Sequence, residues 1–81
     1  MLEELKKAQN KVIGTKQVLK AVKSESIEKV YVAEDADSFI KTKLLEEIEK
    51  AGLCAVMVPT MKELGESCGI QVKSAVAGIL K

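Results

Sequence analysis

Leu53-Cys54-Ala55-Val56-Met57-Val58-Pro59 opens with six apolar residues in a row. A strand with one wet face alternates apolar and polar side chains; one that is apolar throughout is covered on both faces. Residues 53–58 therefore predict a buried strand, stopped by Pro59, which has no N–H to extend a ladder. Upstream, Ile40, Leu44, Leu45, Ile48 and Ala51 recur at helical spacing, with Asp37 or Ser38 as N-cap and Gly52 placed to end the helix. Downstream, Thr60-Met61-Lys62-Glu63 has the form of a capping box, Thr60 as N-cap and Glu63 at the third helical position. Met61, Leu64, Gly65 and Cys68 form the inner face of that helix, and Gly69 ends it with Ile70 just beyond. Glycine costs a helix about 1 kcal/mol relative to alanine, so Gly65 on the inner face implies close approach of another backbone.

Working outward, Ala75–Leu80 reads as a second buried strand, Glu28–Ala33 as a β-branched and aromatic one, and Lys11–Gly14 as a short one. Leu2, Leu5 and Ala8 set a first helix over residues 2–9, and a further helix runs from Thr15 to about Ser24. Helix then strand, four times over, specifies an α/β fold: a three-layer α/β/α sandwich around a small four-stranded sheet, mostly parallel and mixed at an edge.

At 81 residues the chain is expected to form a single domain over residues 1–81. It is 47% apolar and 31% charged, in the range of soluble globular proteins. No apolar run approaches the roughly 18 residues that a membrane helix needs. Met1–Lys7 is charged and lacks the apolar core of a signal peptide, so a cytoplasmic location is expected. Cys54 and Cys68 lack metal-ligand spacing and read as buried free thiols of a reducing compartment.

Enzymatic readings find little material. The chain has no histidine, hence no serine–histidine or cysteine–histidine pair, and Ser67, between Gly65 and Gly69, falls within a helix rather than at a strand-to-helix elbow. Glu34, Asp35 and Asp37 follow a strand, where carboxylates hold magnesium in phosphoryl-transfer sites. Nothing else in the chain completes such a site, so this stretch reads as a solvated loop whose Asp37 caps the next helix. No catalytic residue, metal or cofactor is expected.

Charge is more informative in its distribution than in its net value of +1. Residues 1–23 hold six lysines against two acids, residues 24–49 three lysines against eight acids, and residues 50–81 four lysines against two acids. Such polarity guides an anion to one side of a domain. All thirteen basic residues are lysine, so phosphate contacts are point charges, not bidentate forks. In Gly14-Thr15-Lys16-Gln17-Val18-Leu19-Lys20 a glycine closes a strand and a helix starts at once. At 100° per residue Lys16, Lys20 and Lys23 share one arc with Gln17 beside them, while Val18, Leu19, Ala21 and Val22 fill the other side. Free amides at a helix start, a polar amide side chain and lysines on one edge suit a polyanion, RNA first. Gly69-Ile70-Gln71-Val72-Lys73-Ser74 forms a loop in which one of Ile70 and Val72 is expected to pack inward; an apolar loop edge also packs on an unstacked base. Tyr31 and Phe39 are the only aromatics, which argues against the common single-strand stacking platforms. The alternative is a protein-interaction domain that docks a basic partner on the acidic segment 24–49.

Three blocks together resemble a known family. Ile13-Gly14-Thr15-Lys16-Gln17-Val18-Leu19-Lys20-Ala21-Val22 resembles the glycine-plus-helix signature of the kink-turn-binding ribosomal proteins, the family of the archaeal large-subunit protein called "L seven A e", which has bacterial ribosomal-protein-like members. Val32-Ala33-Glu34-Asp35-Ala36-Asp37 resembles the acidic strand exit of that family. Val58-Pro59-Thr60-Met61-Lys62-Glu63-Leu64-Gly65, followed by Gly69, is similar to its second hallmark, and the blocks occur in family order over nearly the whole chain.

The resemblance implies an α/β/α sandwich that binds the kink-turn, a sharply bent RNA helix with tandem sheared G·A pairs beside a three-nucleotide bulge. It implies that Gly14, Thr15, Lys16, Gln17 and Lys20 face the G·A pairs and the backbone. Glu34 belongs to the acidic exit, and Ile70, Gln71, Val72 and Lys73 form the loop over the bulge. The implied partner is a kink-turn in ribosomal RNA, a riboswitch or another structured RNA, bound by a monomer. Lys16 then Gln17 stand where the archaeal pattern has asparagine then glutamate, a form associated with bacterial members. Lysine only donates, which suits guanine O6 and N7 or a phosphate, whereas the Gln17 amide oxygen accepts from a guanine amino group. Ser38 and Lys73 each stand where the family pattern has a proline.

Overall fold

A computed structural model describes residues 2–81. Its elements are α1 (Glu3–Lys7), β1 (Lys11–Ile13), α2 (Thr15–Lys23), β2 (Ile27–Ala33), α3 (Ser38–Lys50), β3 (Ala55–Val58), α4 (Met61–Ser67) and β4 (Val76–Leu80). The four strands form one sheet in the order β1-β4-β2-β3.

The sheet departs from the mostly parallel arrangement expected. Only β2 and β3 pair in parallel; β4 is antiparallel to both β1 and β2 and lies between them. The reason is in the last connection. Each of β1 and β2 is followed by a helix of 9 or 13 residues that carries the chain back along the sheet, so β1, β2 and β3 all run the same way. α4 has only 7 residues, about 10 Å of helix. The chain then turns back over residues 68–75 and enters the sheet at the end where β3 left it, so β4 runs in reverse.

Both faces of the sheet are covered, and strand side chains alternate between two cores. Tyr31, Ala33, Val58, Ala77 and Ile79 pack with Leu5 of α1 and Leu64 and Cys68 at α4. Val30, Val32 and Val76 pack with Val18, Ala21 and Val22 of α2 and Leu44 and Ile48 of α3. The three layers are therefore those predicted, with α1 and α4 on one face and α2 and α3 on the other.

Some boundaries shift. α1 is shorter than residues 2–9, and β3 starts at Ala55 rather than Leu53. β3 is also an edge strand, and three of its four residues are only half-buried. Cys54, expected to be buried, lies in the link before β3 and is exposed, while Cys68 is buried as expected. Ile40 and Ala51, at the two ends of α3, lie at the surface; its buried residues are Leu44 and Ile48. Gly52 and Gly69 end α3 and α4 with left-handed backbones.

Candidate nucleic-acid interface

The topology gathers distant segments at one end of the sheet. β1, β2 and β3 finish there and β4 begins there, so Gly14, Glu34, Pro59 and Ser74 are neighbours across a single edge. The residues singled out in the sequence, from Gly14 to Gln17, at Glu34 and from Ile70 to Lys73, thus lie at or close to one end of the molecule, while Lys20 stands midway along α2.

Gly14 is the N-cap of α2, with φ of 100° and ψ of 151°. This region of backbone space is essentially restricted to glycine. A Cβ placed there would meet nothing within 4 Å, so the glycine is needed for its backbone shape, and the space over it is open. The Gly14 carbonyl accepts from Val18 N–H at 3.0 Å, the first bond of the helix. The earlier amides, at Thr15, Lys16 and Gln17, have no intrahelical acceptor, and no side chain caps them. Lys16, Gln17, Lys20 and Lys23 are exposed while Val18, Ala21 and Val22 are buried, as the spacing predicts. Among the described residues Lys16, Lys20 and Lys23 form no ion pair.

The loop between α4 and β4 leads into the strand whose Val76 carbonyl accepts from Gly14 N–H at 3.1 Å. Ile70 packs into the α1/α4 core, and Val72 is 69% exposed, so the inward and outward roles divide as expected. Gln71 and Lys73 are exposed. The loop rests on Gly65: a Cβ there would collide with the Val72 carbonyl and lie 3.1 Å from Lys73 Cα. The close backbone approach inferred from a glycine inside a helix is therefore the seat of this loop.

The acidic exit of β2 is used by the fold itself. Asp37 Oδ1 accepts from the N–H groups of Phe39 and Ile40, at 3.0 and 3.3 Å, and so caps α3 in preference to Ser38. Asp35 Oδ1 accepts from Met61 N–H at 2.7 Å and helps Thr60, which accepts from Glu63 N–H at 3.1 Å, to cap α4. The capping box forms only its Thr60 half, with Asp35 supplying a second acceptor. Glu34 is exposed; its carbonyl accepts from Lys41 Nζ at 3.0 Å. No group of three metal-ligating side chains gathers among the described residues.

Of the two aromatics, Tyr31 is fully buried and so offers no stacking face, whereas Phe39, on the first turn of α3, is 78% exposed. Sequence spacing marks neither Asp35 as a helix cap nor Ser74 as more than the end of its loop. Ser74 is buried, its hydroxyl donates to the Val76 carbonyl at 2.8 Å and its N–H to the Met61 carbonyl at 3.0 Å. The Ser74 hydroxyl contact spans only two residues, whereas Asp35 and its partner stand 26 positions apart, where no local pattern announces them.

The fold is a small mixed α/β/α sandwich with an open, lysine-edged helix start at one end of its sheet. The chain belongs to the ribosomal protein L7Ae/L30e/S12e/Gadd45 family, whose model matches residues 1–81. It is 45% identical over 67 residues to an RNA-binding protein of Caldanaerobacter subterraneus, covering 83% of this chain and 82% of that one. It is 36% identical over 78 residues to an RNA-binding protein of Bacillus pumilus, covering 96% and 95%. Among solved structures it resembles the 15.5-kilodalton RNA-binding protein of Giardia lamblia, with a TM-score of 0.86, 30% identity, and coverage of 99% of this chain and 68% of that one. No helix among the described residues is long and apolar enough to cross a membrane.

Proposed function

We propose that this chain is a non-enzymatic RNA-binding protein that recognises kink-turns, acting as a single-domain monomer in the cytoplasm. The observation that carries the reading is the open start of α2. Among the described residues its first amides have no side-chain cap, a Cβ at Gly14 would meet nothing within 4 Å, and lysines without an ion pair line the adjoining edge. Family membership and the RNA-binding names of its relatives support RNA as the anion. In this reading Thr15, Lys16, Gln17 and Lys20 meet the sheared G·A pairs and flanking phosphates, with Glu34 at the rim. Ile70 supports the loop from below while Gln71, Val72 and Lys73 cover the bulge, with the exposed Val72 side chain as the apolar contact for an unstacked base.

The mechanism is population shift. A free RNA of this kind exchanges between extended and kinked forms, and a ligand that binds only the kinked one moves the equilibrium by its differential affinity. Titration of a fluorescent kink-turn RNA, beside one whose G·A pairs are replaced by Watson–Crick pairs, tests it. The kinked RNA is expected to bind far more tightly, with an affinity that falls as salt rises. Equal, weak binding to both sinks the proposal.

The rival reading, a protein-docking acidic face, loses support from the placement of the acids. Glu34, Asp35 and Asp37 follow β2, whereas Glu25 and Glu28 lie at its other end. β2 has 7 residues, about 23 Å of strand, and two of those acids are engaged as helix caps. The acids at the exit of β2 are thus separated from those at its start, although Glu25 and Glu47 of α3 line one surface depression.

A further inference from the structure

Two parts of the candidate surface, the start of α2 and the 70–73 loop, come from opposite sides of the sheet, and a continuous chain of hydrogen bonds joins them. Asp35 Oδ1 accepts from Met61 N–H at 2.7 Å. The Met61 carbonyl accepts from Ser74 N–H at 3.0 Å. The Ser74 hydroxyl donates to the Val76 carbonyl at 2.8 Å. That same carbonyl accepts from Gly14 N–H at 3.1 Å. The chain thus runs from the exit of β2, through the first residue of α4 and the end of the loop, to the N-cap of α2.

We infer that Ser74 and Asp35 are positioning residues, and that the chain through them sets the spacing between the open end of α2 and the 70–73 loop. The inference rests on the kink-turn reading above and adds the element that lets one rigid surface hold the G·A pairs and the bulge together. Three observations support it. The Ser74 side chain is buried, so its hydroxyl is committed to one acceptor rather than shared with water. Both ordinary hydrogen-bonding places on the Val76 carbonyl are filled, one by the loop and one by Gly14, so a shift of either is felt by the other. The Asp35 bond is ionic in character and made to a helix-start amide, the stronger class of hydrogen bond.

The chain is separable from the fold itself. β4 is also held by its ladder to β2 and by Ala33 N–H donating to the Ala75 carbonyl at 2.9 Å. Removing one hydroxyl leaves those bonds in place while loosening the loop against α2. A loop so loosened no longer presents Val72 and Lys73 at a fixed distance from Lys16. It pays its own ordering entropy on binding, and affinity for the bulged RNA falls.

Ser74→Ala, Asp35→Ala and the conservative Asp35→Asn, each in the full chain, are to be titrated with a kink-turn RNA and with the same RNA lacking its three-nucleotide bulge. Ser74→Ala and Asp35→Ala are expected to bind the intact RNA about tenfold more weakly, the scale of one net hydrogen bond. They bind the bulge-less RNA as the parent does, because the loop has no partner there. Asp35→Asn, which keeps an acceptor oxygen, retains most of the parental affinity. In the free protein, hydrogen exchange at Gly14 and at residues 70–73 speeds up in Ser74→Ala while the melting temperature of the whole fold changes little. Equal weakening on both RNAs overturns the inference, since that is general destabilisation. Parental discrimination in both alanine variants overturns it too. A parent protein that itself fails to separate the kink-turn from an RNA without G·A pairs fails the kink-turn reading before any variant is compared.

Discussion

Three helices begin at the same end of the sheet, and they begin differently. α3 starts behind Asp37, whose carboxylate accepts from two amides. α4 starts behind Thr60, with Asp35 reaching across to serve one more amide. α2 starts behind Gly14 with no side-chain cap among the described residues. A cap contributes typically about 1 kcal/mol, so two of the three starts are arranged for stability. The third gives that up and keeps its amides and lysines open to whatever arrives. The closed starts also carry carboxylates, which repel an RNA backbone, whereas the open start carries none in its first turn. One edge of the sheet therefore holds two sealed helix ends and one receptive one.

The change that strikes this contrast hardest is to give α2 the residue that seals α3. In Gly14→Asp the backbone at φ of 100° rejects any side chain, and strain of about 1–3 kcal/mol is expected in urea denaturation. The new carboxylate also faces the approaching phosphates, and like charges at an interface cost several kcal/mol. Affinity for a kink-turn RNA should fall on the order of a hundredfold or more. A Gly14→Asp protein that binds like the parent would mean the open end is not the site.

Removing a single lysine is the next effect in size. Lys16→Ala, at the open start, is expected to lose about 1–3 kcal/mol of RNA binding by fluorescence titration if the ammonium reads a base. Lys43 is equally exposed but sits on α3 behind its sealed start, and Lys43→Ala should change binding by no more than about 0.5 kcal/mol, as rim charges do. Equal losses would dissolve the distinction between the two helix ends and leave only a diffuse basic field.

The reciprocal test is Asp37→Ala. It should lower stability by about 1 kcal/mol, seen as an earlier urea midpoint, with RNA affinity unchanged. A loss of affinity larger than the loss of stability would show that α3 is part of the contact surface after all.

How far this contrast was visible in the sequence depends on the range of the contacts involved. Gly52 and Gly69 as helix ends, Thr60 as a cap and the lysine arc of α2 are local, and spacing alone exposed them. Gly65 was legible as an anomaly: a glycine inside a helix signals a neighbour without saying which, and the neighbour is the Val72 carbonyl. The antiparallel insertion of β4 was not legible, because strand direction there follows from the length and return of α4 and its loop rather than from any apolar pattern. Burial of Cys54 was misjudged because an apolar run does not state where its strand begins or that the strand is an edge. Asp35, and the Met61 carbonyl that takes the Ser74 N–H, were out of reach for the same reason as β4: those pairings are set by topology, whereas the Ser74 hydroxyl bonds locally, two residues on.

The smallest expected effect concerns the opposite kind of open group. The amides at the start of α2 lack protein partners but meet water, which serves them at little cost. The Tyr31 hydroxyl also lacks a partner, and it is buried. A buried unpaired hydroxyl keeps its desolvation cost without a compensating bond. Tyr31→Phe, which keeps the ring and removes the hydroxyl, should therefore be neutral to stabilising by up to about 1 kcal/mol, where core substitutions usually destabilise. Alkaline pH sharpens the point. Burial raises the Tyr31 pKa, so the fold holds the phenol proton more tightly than the unfolded chain does. Its share of stability is present below about pH 10 and is lost as pH rises through the folded value. Lys29 shifts the same way, held first by its hydrogen bond to the Glu4 carboxylate at 3.3 Å and then by the negative charge of an ionised Tyr31, and burial does the same for the Cys68 thiol. Urea midpoints measured on both sides of pH 10 should fall in the parent and fall less in Tyr31→Phe, where only Cys68 and the Glu4-held part of the Lys29 shift still contribute. A parallel fall in the two proteins would mean that water reaches the hydroxyl, and that the core, like the start of α2, keeps one of its polar groups open to solvent.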